Sequence, residues 1–275
     1  MLNHKKDIIT IIAAIILITT KLIVWYVAPQ AIVVWVVLLS LITFLLHPIR
    51  HNHTHLPVFT SSAHNRIYDL VISFATLSSA VGIHVIHVLN HHRHNDREKD
   101  WGRTTIYTHR WELINYLTYL LLGSAKMVKG YKKWIKTSNT SNKKRNQLET
   151  VMLYGLVLLM LCFKPMDTLV FWIIPAITSF LILVSFNYFQ HRGCDSQSEY
   201  NHSRNFTGKV TNFLVFNTGY HTVHHLYPAK HWSEYPALHQ EVEGAISMKL
   251  NYKSVAWYFI NDILFSFRLK QTQSS

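Results

Sequence analysis

Nineteen of the 275 residues are histidine, and most of them fall in four short stretches. The first is HPIRHNHTHLP, carrying His47, His51, His53 and His55. If a helix continues past Pro48, His51 and His55 lie one turn apart, with Cβ atoms about 5–6 Å from each other, a span that suits two imidazoles on one metal ion. His47 and His51 share that spacing, but Pro48 perturbs the backbone between them, so the later pair is preferred. The second stretch is HVIHVLNHHRHND, residues 84–96. His87 and His91 are again one turn apart, and His92 diverges from His91 by roughly 100°, so one helix can feed two ions. The third is NYFQH, in which Asn187 and His191 share a helix face, and the fourth is YHTVHHLYP, in which His221, His224 and His225 stand at i, i+3 and i+4.

A single histidine on an apolar face is usually a packing residue. Nine imidazoles at helical spacing on separate elements are hard to explain that way. Neutral imidazole suits iron, zinc, copper and nickel, whereas a buried cluster without metal suffers mutual repulsion. Asp96, which ends the second stretch, and Asp100, just beyond it, are carboxylates of the kind that orient metal-binding imidazoles. Two cysteines, Cys162 and Cys194, are too few for a zinc ribbon or an iron–sulfur cluster and suggest no disulfide framework.

The elements that must hold these histidines are apolar. Hydrophobic residues make up 49% of the chain and charged residues 15%, against roughly 25% charged in soluble domains. Four spans are expected, at about 8–28, 31–47, 148–163 and 168–187. The second and third are short against the roughly 20 residues a crossing needs and must borrow flanking residues. Lys21, inside the first, is expected to snorkel to the interface. The joining turns, Pro29–Gln30 and Lys164–Asp167, are tight, so the spans pair as two hairpins. Lys126, Lys129, Lys132, Lys133, Lys136, Lys143, Lys144 and Arg145 all lie between the second and third spans. The positive-inside rule then puts this region and both chain ends in the cytoplasm. Ile67–Asn90, with Asp69, His84 and His87, reads as a re-entrant or core-buried helix. Residues 111–136 read as an interfacial helix with lysines on one face, and Thr137–Gln147 as a polar, basic linker. The expected fold is therefore all-α and integral to the membrane. It comprises four transmembrane helices as two hairpins and a cytoplasmic helical cap, residues 47–147 and 188–275, carrying the histidines, in one domain over 1–275.

The pattern H-x-x-x-H, H-x-x-x-H-H, N-x-x-x-H, H-x-x-H-H resembles the histidine boxes of the membrane fatty acid desaturase superfamily. The likeness is closest in GYHTVHHLYPAKHWSEYPALH, residues 219–239, which is similar to bacterial-type acyl desaturases. RHNHTHLPVF and NHHRHNDREKDWGR resemble the same group. Carried over by position, the resemblance implies two Fe2+ ions with O2 as co-substrate. The implied ligands are His51, His55, His87, His91, His92, His191, His221, His224 and His225, with Asn187 acting through a water. His53, His84, His94, Asp96, Asp100, His231 and His239 are candidates for supporting or entrance positions. His4, His64, His109 and His202 read as surface or packing residues.

The resemblance implies an oxygen-dependent desaturase acting on a long acyl chain carried on a lipid, coenzyme A or carrier protein. A hydroxylase or ketolase on the same scaffold is the alternative. A histidine-rich metal transporter is more remote, because transport sites lie near the bilayer midplane and these clusters lie beyond the span ends. No flavin or nicotinamide fingerprint and no fused haem domain is found, so an external ferredoxin or b-type cytochrome is expected. The +13 net charge suits an acidic donor and anionic lipids better than nucleic acid, since much of it flanks apolar segments. A bacterial inner membrane is expected ahead of the endoplasmic reticulum, in part because Thr272–Ser275 carries no retention signal.

Overall fold

The structure, a computed structural model, describes residues 1–266; Thr272–Ser275 lies outside them. Among the described residues it is mostly helical, with one short strand pairing and an isolated bridge between Leu2 and Phe59, and it divides into two compact units.

The first unit comprises residues 1–85 and 131–183. Its long helices are α1 (Asp7–Val27), α2 (Ile32–His55) and α6 (Thr140–Phe163). Beyond α6, α7 (Pro165–Thr168) and a π-helical turn at Leu169–Ile173 lead into α8 (Ile174–His191). α1, α2, α6 and the Pro165–His191 segment are each long and apolar enough to cross a membrane. Their outward faces show bare Ile, Val and Leu, as at Ile15, Val33, Leu158 and Ile177, the surface a helix presents to lipid. Inward, Val24, Leu39 and Phe171 form a core packed by Trp25, Trp35 and Ile42.

Pro48 lies inside α2 without ending it. Its missing N–H loosens one turn, and the helix still runs on to His55. α3 (Ser62–Thr76) and α4 (Ala80–Ile83) follow, joined at a 93° bend. Leu77 takes the left-handed conformation at the break, with φ of 51°. The buried Arg50 pins it, donating to the Ser78 carbonyl at 2.5 Å and to the Ser73 hydroxyl at 3.1 Å. Glu149 accepts from the Val81 N–H at 3.1 Å, placing a carboxylate at the N-terminus of α4, where the helix dipole favours it.

Two expectations are corrected here. Lys21 does not snorkel: it is 0% exposed, its Nζ donates to the Ala75 carbonyl at 2.6 Å and it lies 4.4 Å over the Trp172 ring. An amine at the C-terminal end of α3 satisfies an orphan carbonyl there. Nor is Thr137–Gln147 a linker throughout, because α6 begins at Thr140. Asn139 caps it by accepting from the Asn142 N–H at 2.9 Å, so the basic run becomes the first turns of a spanning helix.

The second unit comprises residues 86–130 and those from 184 onward. Into it run the end of a π-helical stretch, His84–His92, and α5 (Glu112–Thr137). It also holds the end of α8, then α9 (Lys209–Leu214), α10 (His221–Leu226), α11 (Tyr235–Val242) and α12 (Val255–Tyr258). β1 (Asn205–Phe206) pairs in parallel with β2 (Asn251–Tyr252). Phe189, Phe206 and Tyr258 pack edge to face around this pairing, with Arg204 stacked 4.4 Å over the Tyr258 ring.

Candidate metal centre

The π-helical stretch His84–His92 supplies three histidines to the second unit. In a π-helix the hydrogen-bonded partners are i and i+5 rather than i and i+4. That geometry brings His87 and His92 together, Nε2 to Nε2 at 3.1 Å. His91, on a neighbouring azimuth, turns elsewhere. One element thus serves two groups of imidazoles.

The loop after it is shaped to hold His91. Asn95 and Asp96 both adopt positive φ, 43° and 60°, a conformation these two residue types tolerate better than most. The reversal carries the chain back to Asp100, whose Oδ2 accepts from His91 Nδ1 at 2.8 Å and from the Asp96 N–H at 2.8 Å. Its Oδ1 accepts from the Gly102 N–H at 2.7 Å. Burial would raise the Asp100 carboxyl, but the imidazole and the two backbone donors hold it below its ordinary value. Asp96, accepting from the Thr104 N–H and hydroxyl, is pushed up to about 6, mainly by burial.

His191 closes α8, and Gly193 at φ 76° stops the helix just beyond it. Arg204 binds the carbonyls of Phe189 and Arg192 at this end, a cation where the dipole calls for one. His191 Nδ1 donates to the His202 carbonyl at 3.3 Å. α10 is seated by Asn205, which accepts from the Thr222 N–H at 2.9 Å and donates to the Asn251 side chain at 3.0 Å. Its N-terminal flank, Gly219, lies against β1: its carbonyl accepts from the Phe206 N–H at 2.8 Å.

The result is a gathering of ring nitrogens. His91, His191, His221 and His225 each offer one nitrogen, all within 4.8 Å of one another. His191 Nε2 and His221 Nε2 are 2.9 Å apart, and His225 Nε2 and His221 Nε2 are 3.1 Å apart. Beside them, His92 Nε2 lies 2.9 Å from His224 Nε2, and the His92 ring stacks on His225 at 4.2 Å. His224 is held from behind by the Tyr235 hydroxyl at 3.1 Å. In the first unit, His51 and His55 occupy successive turns of α2 with ring centroids 5.2 Å apart.

These donors fit a metal ion. His91 Nδ1 faces a carboxylate and so carries a proton, leaving Nε2 as the lone-pair nitrogen of the neutral ring; that Nε2 is buried with no hydrogen-bond partner among the described residues. An orphaned buried acceptor costs about 1–3 kcal/mol, which coordination would remove. Burial, and then the neighbouring imidazoles, depress His225 far below the ordinary histidine range, keeping it in the neutral, ligating form. A carboxylate or carbonyl behind a ring, with Nε2 presented forward, is the usual second partner of a metal-binding histidine.

Other sequence candidates land elsewhere. His47 Nε2 lies 3.2 Å from the Ser179 hydroxyl. His53 accepts from the Val58 N–H at 3.1 Å and faces Asp69 at 3.5 Å, bracing the turn between α2 and α3. His84 and His64 are exposed, and His94 is half-buried. His231 caps the turn at Trp232–Glu234, while His239 is buried against the Tyr220 ring at 5.0 Å. His109 accepts from the Trp111 N–H at 3.1 Å. Asn187 donates to the Gly102 carbonyl and the Tyr119 hydroxyl, which leaves its oxygen as the atom it can offer. His202, read from sequence as a surface or packing residue, is 3% exposed and its ring centroid lies 5.4 Å from that of His225. No local signal marks it: only the fold returns residue 202 to His191.

A chain with four membrane-spanning helices and imidazoles gathered in this way fits a di-iron enzyme of the desaturase and hydroxylase type. No curated protein matches it. The fatty acid desaturase family model, however, matches residues 8–256, nearly the whole chain and every element described above that bears a histidine cluster. The chain belongs to the fatty acid desaturase family.

Proposed function

We propose that this protein is an oxygen-dependent desaturase that places a double bond in a long acyl chain. The observation that carries the reading is the four-imidazole group His91, His191, His221 and His225, with His87, His92 and His224 beside it. The proposed ligand set adds His51 and His55 from α2, with Asn187 acting through a water.

Two iron ions, when bound, supply oxygen chemistry able to take hydrogen from unactivated methylenes. The balance is one O2, two hydrogens from adjacent methylenes, and two electrons with two protons from outside, giving a double bond and two waters. The chain's own residues do the placing. Asp100 and the His202 carbonyl fix the tautomers of His91 and His191, Tyr235 backs His224, and burial keeps His225 neutral. The apolar helices supply a surface along which an acyl chain can lie out of water. Because one methylene is worth only about 1–3 kcal/mol in a pocket, positional choice must come from where the chain stops.

The electrons are proposed to come from an acidic ferredoxin or b-type cytochrome. Between Glu112 and Glu149 there are eight Lys and Arg residues and no acidic one, and Lys129, Lys132, Lys133, Lys136, Lys143 and Lys144 are exposed. The site is proposed to face the cytoplasm of a bacterial inner membrane.

The test is the fatty acid profile, by mass spectrometry, of an aerobic host lacking its own desaturases and expressing the chain or His225→Ala. A species two mass units lighter, absent with the variant, supports desaturation. A species sixteen units heavier would replace it with hydroxylation.

A further inference from the structure

His202 stands in an unusual position for a residue outside every histidine box. Its Nδ1 lies 2.8 Å from the Glu199 carbonyl. A carbonyl only accepts, so Nδ1 carries the proton and Nε2 carries the lone pair. That Nε2 is buried and has no hydrogen-bond partner among the described residues, in a residue that is 3% exposed. The same residue touches two of the four gathered imidazoles. Its backbone carbonyl holds His191 Nδ1 at 3.3 Å, and its ring meets that of His225 edge-on, with 5.4 Å between centroids.

An acceptor fixed in this way is not a packing residue. Packing alone would be served by an apolar side chain, without a bare nitrogen to bury. Nor does His202 belong to the group of nitrogens within 4.8 Å of one another, which is His91, His191, His221 and His225. The loop around it is well anchored: Asp195 N–H donates to the Asn201 carbonyl at 3.0 Å, Arg204 N–H to the Gln190 carbonyl at 2.6 Å, and the adjacent Ser203 hydroxyl pairs with Thr222 at 3.1 Å. The ring is therefore held in place from outside, with its acceptor left for something the site itself contains.

We propose that His202 is a positioning residue of the metal centre, its Nε2 accepting a hydrogen bond from a water held at the site while its ring braces His225. The inference rests on the metal-centre reading above and extends it by one residue. It assigns the His191–His202–His225 side of the centre a solvent molecule, and it makes the 195–204 loop part of the site rather than a connection between α8 and α10.

The experiment uses the full chain, purified in detergent and loaded anaerobically with Fe2+. Iron per chain is measured by mass spectrometry, and iron release into a coloured ferrous chelator is followed over time. His202→Phe keeps a ring without an acceptor, and His202→Gln places an amide oxygen near the position of Nε2. Both variants are expected to load to the unmodified stoichiometry. His202→Phe should release part of its iron about tenfold faster or more, the usual effect of losing an outer partner, with His202→Gln within roughly threefold of the unmodified rate. Equal release from His202→Phe and the unmodified chain would overturn the proposal. So would release from His202→Gln as fast as from His202→Phe, since a merely structural role does not distinguish an acceptor from a ring. A drop in stoichiometry in both variants would make His202 a ligand instead. An unmodified chain that holds no iron would remove the metal-centre reading, and this inference with it.

Discussion

At the scale of single residues, an imidazole is placed by whatever holds its far nitrogen. Asp100 does this for His91, and it does so with both oxygens occupied, one by His91 Nδ1 and the Asp96 N–H, the other by the Gly102 N–H. Asparagine at this position has one acceptor and one donor for the same three N–H groups, so either rotamer sets a donor against a donor. Asp100→Asn is expected to weaken iron binding by roughly 10–100-fold, measured by competition against a chelator of known affinity; unchanged affinity would show that His91 needs no anchor. Asp96 makes a prediction about pH. Its folded-state value near 6, against 3.8 ordinarily, comes first from burial. The folded state therefore holds this proton more tightly than the unfolded one. Its own contribution to the stability of the metal-free protein is full below about pH 4 and is lost as pH rises through 6, by at most roughly 3 kcal/mol at 1.36 kcal/mol per unit. Thermal unfolding in detergent should show it as a difference: the advantage of the unmodified chain over Asp96→Asn shrinks as pH rises from about 4 to 6, and a pH-independent difference would show that Asp96 does not titrate there.

At the scale of elements, α10 matters most, because it presents three imidazoles from six residues. Its approach to β1 depends on Gly219: a Cβ there would fall 2.5 Å from the Phe206 carbonyl oxygen and 2.6 Å from Asn212 Oδ1. Backbone cannot step aside cheaply, and overpacking of this kind costs about 1–3 kcal/mol. Gly219→Ala should lower the unfolding temperature and the iron content together, while Gly244→Ala, with open space around it, changes neither. This element was readable beforehand, since i, i+3 and i+4 histidines share a face only on a helix. The four spans were readable too, from uninterrupted apolar runs. The π-helical hydrogen bonding of His84–His92 was not, because a five-residue repeat leaves the same composition as a four-residue one. The start of α6 was hidden by its lysines, which score as solvated linker although Asn139 caps them into a helix. The β1–β2 pairing joins Asn205 to Asn251, too far apart in sequence to leave a local mark, and His202 is found only once that loop has been folded back.

At the scale of the whole molecule, the membrane topology turns on whether the bent α3–α4 segment crosses or returns. Contacts within the first unit decide between the two. Lys164 Nζ, just past the end of α6, donates to the Tyr26 carbonyl at the end of α1 at 2.6 Å, and Trp25 Nε1 donates to the Thr168 hydroxyl at 2.9 Å. The α1–α2 turn and the α6–α7 turn therefore share a side of the bilayer. With α2 and α6 each crossing once, the chain between them must leave from and return to the opposite side, so α3–α4 does not cross. Arg145 agrees, reaching Asp69 of α3 at 3.1 Å from the first turns of α6. The proposed orientation, which follows the positive-inside rule, puts the lysine-rich side in the cytoplasm. In a chain with Cys162 and Cys194 replaced by alanine, Gln30→Cys and Met166→Cys should react with an impermeant maleimide from outside intact cells. Lys143→Cys should react only in inverted vesicles. If Gln30→Cys and Met166→Cys labelled from opposite sides, α3–α4 would be a fifth crossing and the four-span topology would fall. If all three labelled with sides exchanged, the spans would stand and the charge rule would have failed for this chain, carrying the end of α2, with His51 and His55, to the outer face.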